Sequence, residues 1–109
     1  MSLQLAPTIA AYFAAANEAR HDQLALCFEP GAKVRDEGST MDGREAIAAW
    51  AQNSHRRYGA VATPRAARQD GGEVIVTADV AGDFPGSPLP LHYHFTLGDS
   101  GIAALAIKP

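Results

Sequence analysis

Residues 32–37 read Ala-Lys-Val-Arg-Asp-Glu, and the alternation in this stretch decides the fold. Side chains of an extended segment point to opposite faces in turn, so Ala32, Val34 and Asp36 share one face and Lys33, Arg35 and Glu37 the other. The face carrying three charges must be the wet one. Asp36 then falls on the apolar side, where a carboxylate is costly unless it has a hydrogen-bond partner or a chemical task.

Upstream of this strand the spacing predicts two helices. The first begins near Pro7, a residue tolerated in a first helical turn, and its apolar stripe is Ile9, Tyr12, Phe13 and Ala16, which turns Tyr12 inward. The second follows Asp22 as N-cap, sets Leu24, Cys27 and Phe28 on one side, and stops at Pro30-Gly31. Downstream, Asp42 as N-cap with Glu45 three residues on forms a capping-box pattern for a third helix, and Gly59 is its C-terminal stop. The buried stripe of that helix is Ile47, Trp50, Ala51, Ser54 and Tyr58.

Four strands complete the chain, at about 61–69, 73–84, 91–97 and 102–107, with Asp70-Gly71-Gly72 and Gly98-Asp99-Ser100-Gly101 as hairpin turns. Pro64 places its strand at a sheet edge or a bulge. On the strand at 91–97, Tyr93, Phe95 and Leu97 share the face expected to line a pocket, and His92, His94 and Thr96 share the opposite one. Helices cluster early and a largely antiparallel sheet comes late, the order of an α+β domain. A long, twisted sheet cannot press flat on a short helical layer, so a conical space is expected between them.

Composition narrows the function. The chain has 109 residues, 47% of them hydrophobic, enough for one core and a cavity in a single domain spanning residues 1–109. A formal net charge of -3 gives no overall attraction to nucleic acid or to anionic lipid. Arg56, Arg57, Arg65 and Arg68 form a local basic group, but two of them close a predicted helix where the dipole favours positive charge. The apolar N-terminal run is broken by Pro7, Thr8 and Asn17, so the chain reads as soluble and cytoplasmic, with no signal peptide and no membrane span. The single cysteine, Cys27, is expected to be a small buried hydrophobe.

With this order of elements, the stretch Phe28 to Trp50 resembles the nuclear transport factor 2-like superfamily, in its SnoaL-like and ketosteroid isomerase-like branches. The residues that carry the resemblance are Val34-Arg35-Asp36-Glu37-Gly38, then Gly43, Ala46-Ile47 and Trp50. Phe84-Pro85-Gly86-Ser87-Pro88 looks like a loop of uncharacterised bacterial members. The resemblance implies a cone-shaped, curved sheet wrapped around three N-terminal helices, a cystatin-like α+β roll. Tyr12 falls where ketosteroid isomerases carry a hydrogen-bonding tyrosine, and Asp36 where they carry a proton-shuttling aspartate. Their second acid, held protonated by apolar surroundings, is absent here. Its place falls on Tyr93, or on His92 if the turn is aligned one residue differently. Trp50 replaces an aromatic of the family's pocket.

Two functions are compatible with this pattern, since the superfamily contains both enzymes and non-catalytic domains. The first is a cofactor-independent isomerase, cyclase or dehydratase acting by proton transfer on an apolar carbonyl compound, with Asp36 as base and Tyr12 and Tyr93 as hydroxyl donors. The ligand, a small apolar or aromatic molecule, would lie among Phe13, Val34, Trp50, Ser54, Tyr58, Phe84 and Phe95. The second is a ligand-binding or protein-interaction domain, in which Asp36 accepts hydrogen bonds from backbone or from Ser39 and Thr40. His92 and His94 lack a third ligand at a familiar metal spacing, short of recruiting Asp79 or Asp83, and no cofactor or metal is expected. In this superfamily the convex sheet face commonly meets a second subunit, so a homodimer through the face carrying His92 and His94 is expected. His55 is expected near the pocket rim and exposed to solvent.

Overall fold

The structure, a computed structural model, describes residues 3–109. Its elements are α1 (Pro7–Asn17), α2 (His21–Leu26), β1 (Phe28–Asp36), β2 (Ser39–Asp42), α3 (Arg44–Tyr58), β3 (Val61–Asp70), β4 (Glu73–Ala81), β5 (Leu89–Leu97) and β6 (Ile102–Lys108). The strands form one six-stranded sheet in the order β2-β1-β6-β5-β4-β3. Every neighbouring pair is antiparallel except β1 and β6. This is the α+β architecture expected from the order of elements.

Strand β1 alternates as its sequence does. Ala32 and Val34 are buried, Lys33 and Arg35 exposed, and Asp36 half-buried on the inner side. Its start differs from expectation, because Phe28 belongs to the strand and α2 ends at Leu26. Sheet pairing takes the chain over at that point. Phe28 sits opposite Ile102, and the Ile102 N–H donates to the Cys27 carbonyl at 2.9 Å. Arg20, not Asp22, is the N-cap of α2, and Asp22 lies in its first turn. Cys27 is only half-buried, with its thiol 3.5 Å from the Gln23 carbonyl.

Strand β2 was not anticipated. Glu37 and Gly38 both have positive φ, 52° and 78°, and join β1 to β2 as a two-residue hairpin turn of the type whose twist matches its strands. Asp42 therefore ends a strand opposite Lys33 rather than capping a helix. Gly43, with φ 89°, is the N-cap of α3, and no side chain caps it. At the other end Gly59 adopts the left-handed conformation, φ 54°, and its N–H donates to the His55 carbonyl at 2.8 Å, as the sequence predicted.

Strand β3 is an edge, and its register shifts between Pro64 and Ala66, which accommodates the missing proline N–H. Strand β4 stops at Ala81, short of the expected Phe84. There the Gly82 N–H donates to Ser87 Oγ at 2.8 Å and the Asp83 N–H to the Tyr58 carbonyl at 2.7 Å, turning loop 82–88 onto the end of α3.

The inner face of the sheet and the helices share one apolar core around Ile9, Phe28, Val34, Ile47, Phe95 and Leu105. Ala15, rather than Ala16, is the buried alanine of α1. Leu97 is exposed, beyond a register shift after Thr96, and does not share the inner face with Tyr93 and Phe95. Among the described residues no helix is long and apolar enough to cross a membrane.

Candidate functional site

A cavity of about 400 Å³ lies between α1, α3 and the inner face of the sheet. Its deep wall carries Tyr12 from α1, Asp36 from β1, Trp50 from α3 and Tyr93 from β5. Its outer part carries Glu37, Ser54, Tyr58 and Phe84. Helical spacing brings Trp50, Ser54 and Tyr58 to one side of α3, and strand alternation brings Tyr93 to the inner face of β5.

Of the two carboxylate side chains that line the cavity among the described residues, Asp36 is half-buried and Glu37 exposed. The Trp50 indole N–H donates to Asp36 Oδ2 at 3.0 Å, and among the described residues no side chain donates to Oδ1. Burial pushes the Asp36 carboxyl above its ordinary range and the charge of Glu37 adds to this, while the Trp50 N–H and the Glu37 amide pull it back. Ser39 and Thr40 lie in β2 and do not bond the side chain of Asp36.

The two tyrosines complete the polar end of the cavity. Tyr12 and Tyr93 are 3% and 6% exposed, and their rings lie 6.2 Å apart in an edge-on arrangement. Among the described residues neither hydroxyl has a hydrogen-bond partner, and no occluded side-chain oxygen or nitrogen is left unpaired. The hydroxyls therefore reach the cavity, where a ligand or water can meet them. Burial raises both phenols well above their usual range; for Tyr12 the charges of Tyr93 and Asp36 add to it, and for Tyr93 that of Asp36. Both stay protonated near neutral pH and available as donors.

At the mouth, the Tyr58 hydroxyl donates to Glu37 Oε1 at 3.2 Å, and its ring meets Phe84 edge-on at 5.8 Å. The Arg57 guanidinium stacks over the outside of Tyr58 at 5.1 Å. His21 and His55 edge the cavity on another side, with ring centroids 5.8 Å apart and His55 exposed.

Of the residues singled out in the sequence, Tyr12, Asp36, Trp50, Ser54, Tyr58, Phe84 and Tyr93 meet in this cavity. Phe13, Val34 and Phe95 do not line it; they are core residues behind its wall. Periodicity gives the face on which a side chain lies but not its depth. Sequence reasoning missed Leu91, although alternation sets it beside Tyr93, and missed Asn17, whose amide both donates to the Ala62 carbonyl at 2.8 Å and accepts from its N–H at 2.9 Å. Of the two candidates for the place of the absent acid, Tyr93 faces the cavity. His92 lies on the outer sheet face, with Nδ1 3.0 Å from Thr77 Oγ1. His94 shares that face, 3.3 Å from Glu73.

A wider hollow of about 600 Å³ between α2 and α3 shares only His21 with this cavity. It is edged by exposed Arg20, Asp22, Glu45 and Gln52, so the aromatic cavity is the better binding candidate. Among the described residues no three His, Cys, Asp or Glu side chains converge on a point that could hold a metal ion.

A roll of this shape, closed over a cavity by three helices, is the nuclear transport factor 2-like fold. The chain belongs to the SnoaL-like domain family, whose model matches residues 9–104. A solved protein of Sinorhizobium meliloti, described as a proposed polyketide cyclase, is 38% identical over 95% of each chain, with a TM-score of 0.91. A Catenulispora acidiphila protein with a ketosteroid isomerase-like fold, solved with trimethylamine, is 21% identical over 97% of this chain and 87% of its own, with a TM-score of 0.85. A nuclear transport factor 2-like protein of unknown function from Cytophaga hutchinsonii is 12% identical, covers 99% and 93% of the two chains, and has a TM-score of 0.77. No curated protein matches the chain.

Proposed function

We propose that the chain is a cofactor-independent proton-transfer enzyme, of the isomerase, cyclase or dehydratase kind, acting on a small apolar or aromatic carbonyl compound. One observation carries this reading: a carboxylate held by the Trp50 indole and the Glu37 amide stands in an aromatic cavity with two tyrosine hydroxyls that have no partner among the described residues. Asp36 is the base. A carboxylate removes only an activated proton, so the C–H it attacks lies next to a carbonyl. The electron pair left on carbon moves into the carbonyl, and the Tyr12 and Tyr93 hydroxyls stabilise the enolate oxygen by donating to it. Returning the proton to another carbon gives isomerisation, attack of the enolate on a second carbonyl gives ring closure, and loss of a β-hydroxyl gives dehydration. The relative described as a proposed polyketide cyclase supports the reading at the level of family.

A thermal-shift screen of aryl ketones and phenols, run on wild type and on Asp36→Asn, tests it. Compounds that stabilise both proteins but turn over only with wild type support the assignment. Compounds that react equally with both retire Asp36 as the base, and compounds that bind both but turn over with neither favour a purely binding domain. The same reading includes a homodimer through the outer sheet face at His92 and His94. Light scattering should then give twice the chain mass, and His94→Glu, which sets a carboxylate next to Glu73, should halve it.

A further inference from the structure

Asp36 faces a conflict that the proton-transfer reading leaves open. A base must be ionised and correctly aimed, yet the cavity wall withholds water from it. The charged and titratable groups around it are Glu37 in the turn that follows its strand, Tyr12 from α1 and Tyr93 from β5, with His21 and His55 at the cavity edge. Among the described residues no lysine or arginine lines the cavity. Among the described residues the one side-chain donor that reaches the carboxylate comes from α3: the Trp50 indole N–H, 3.0 Å from Oδ2.

We propose that Trp50 is the positioning residue of this site: its indole N–H holds one oxygen of Asp36, turns the other to the ligand, and keeps the group in its proton-accepting form. The inference rests on the proton-transfer reading for its catalytic meaning, but the coupling itself can be measured without any substrate. Three features support it. Asp36 ends β1 at a hairpin turn, opposite Ser39, and besides the Glu37 amide the Trp50 indole is the group seen to hydrogen-bond its carboxylate. The indole is a donor only and cannot take a proton from the acid, so the bond favours the carboxylate over the carboxylic acid. Trp50 stands one turn from the buried Ile47 and beside the buried Ala51, which seat α3 against the sheet and hold the donor in place.

The Trp50 and Asp36 bond also supplies its own readout. Trp50 is the only tryptophan of the chain, so its emission reports the state of the group it touches. In wild type the emission should titrate at the same midpoint as the Asp36 carboxyl carbon followed by NMR, and Asp36→Asn should flatten that step while His55→Gln leaves it in place. Benzothienylalanine at position 50, with sulfur in place of the N–H, keeps the shape of the indole and removes the donor. In that protein the Asp36 carbon should titrate at higher pH than in wild type, with melting behaviour near normal. Proton exchange on an aryl β-keto ester should fall by about tenfold at pH values between the wild-type midpoint and the new one. It should recover as the pH is raised past the new midpoint. Trp50→Phe should follow the sulfur analogue, and Trp50→Gln, which restores a donor, should regain part of the loss. An Asp36 midpoint unchanged by the sulfur analogue would overturn the proposal. A shifted midpoint in a protein that exchanges no substrate would instead retire the proton-transfer reading and leave the coupling standing.

Discussion

At the scale of single residues, Asp36 sets function against stability. Burial raises its carboxyl above the range it has in the unfolded chain. A group raised on folding stabilises the fold while protonated, and that contribution is lost as the pH rises through its folded value. Asn at this position keeps an oxygen for the Trp50 N–H and removes the charge. Asp36→Asn should therefore melt higher than wild type at pH 8, and the gap should close as the pH is lowered; calorimetry across that range checks it. A variant less stable at pH 8 would mean that the carboxylate is a structural anchor. Tyr12→Phe and Tyr93→Phe should each slow turnover by about tenfold or more, because each removes one donor to a developing oxyanion while the ring stays in place. Asp36 could be read from six residues because strand alternation is local. The partners of Asp36 could not, since Trp50 and Tyr93 reach it only through helix and sheet packing.

At the scale of elements, the cavity depends on tethers that hold α1 to the sheet and loop 82–88 to the end of α3. The Asn17 amide pairs with both backbone groups of Ala62 and so fixes the end of α1 to β3. Asn17→Ala should cost about 0.5–1.5 kcal/mol in chemical denaturation, the range for an ordinary hydrogen bond, since Asn17 is itself exposed. Gly82 is the second tether. A Cβ there would lie 2.8 Å from the Tyr58 carbonyl and 3.0 Å from Ala60, backbone atoms that cannot move aside. Gly82→Ala should push loop 82–88 off α3, displace Phe84 from Tyr58 and weaken ligand binding more than it lowers the melting temperature. Titration of a cavity ligand against both proteins checks this. These contacts explain what the sequence withheld. The turn at Glu37-Gly38 was masked by the charges around it, and β2 with it. Asp42 and Glu45 spell a capping box, but hairpin pairing claimed Asp42 first. Gly59, Pro64 and the Asp70-Gly71-Gly72 turn were legible because each rests on backbone geometry that only a few residues allow.

At the scale of the whole molecule, the core encloses a polar cluster that resists ionisation. Tyr12 and Tyr93 are both held protonated by burial. Their contribution to stability is complete below about pH 10, the ordinary value for a phenol, and is lost as the pH rises above it. Denaturant midpoints should thus fall steeply above pH 10, and Tyr93→Phe should flatten that fall. The fold was legible at this scale because α+β order and amphipathic period agreed along nearly the whole chain. Cavity depth was not, because Phe13, Val34 and Phe95 carry the same period as the true wall.

Whether Asp36 moves a proton is decided most directly by exchange in deuterated water. Wild type and Asp36→Asn would each be incubated with a panel of aryl β-keto esters and β-diketones, and loss of the acidic C–H signal would be followed by proton NMR. Asp36 as base predicts accelerated exchange by wild type, and a loss of about a hundredfold or more in the variant with ligand affinity retained. Equal exchange rates in the two proteins, for compounds shown to occupy the cavity, would contradict it.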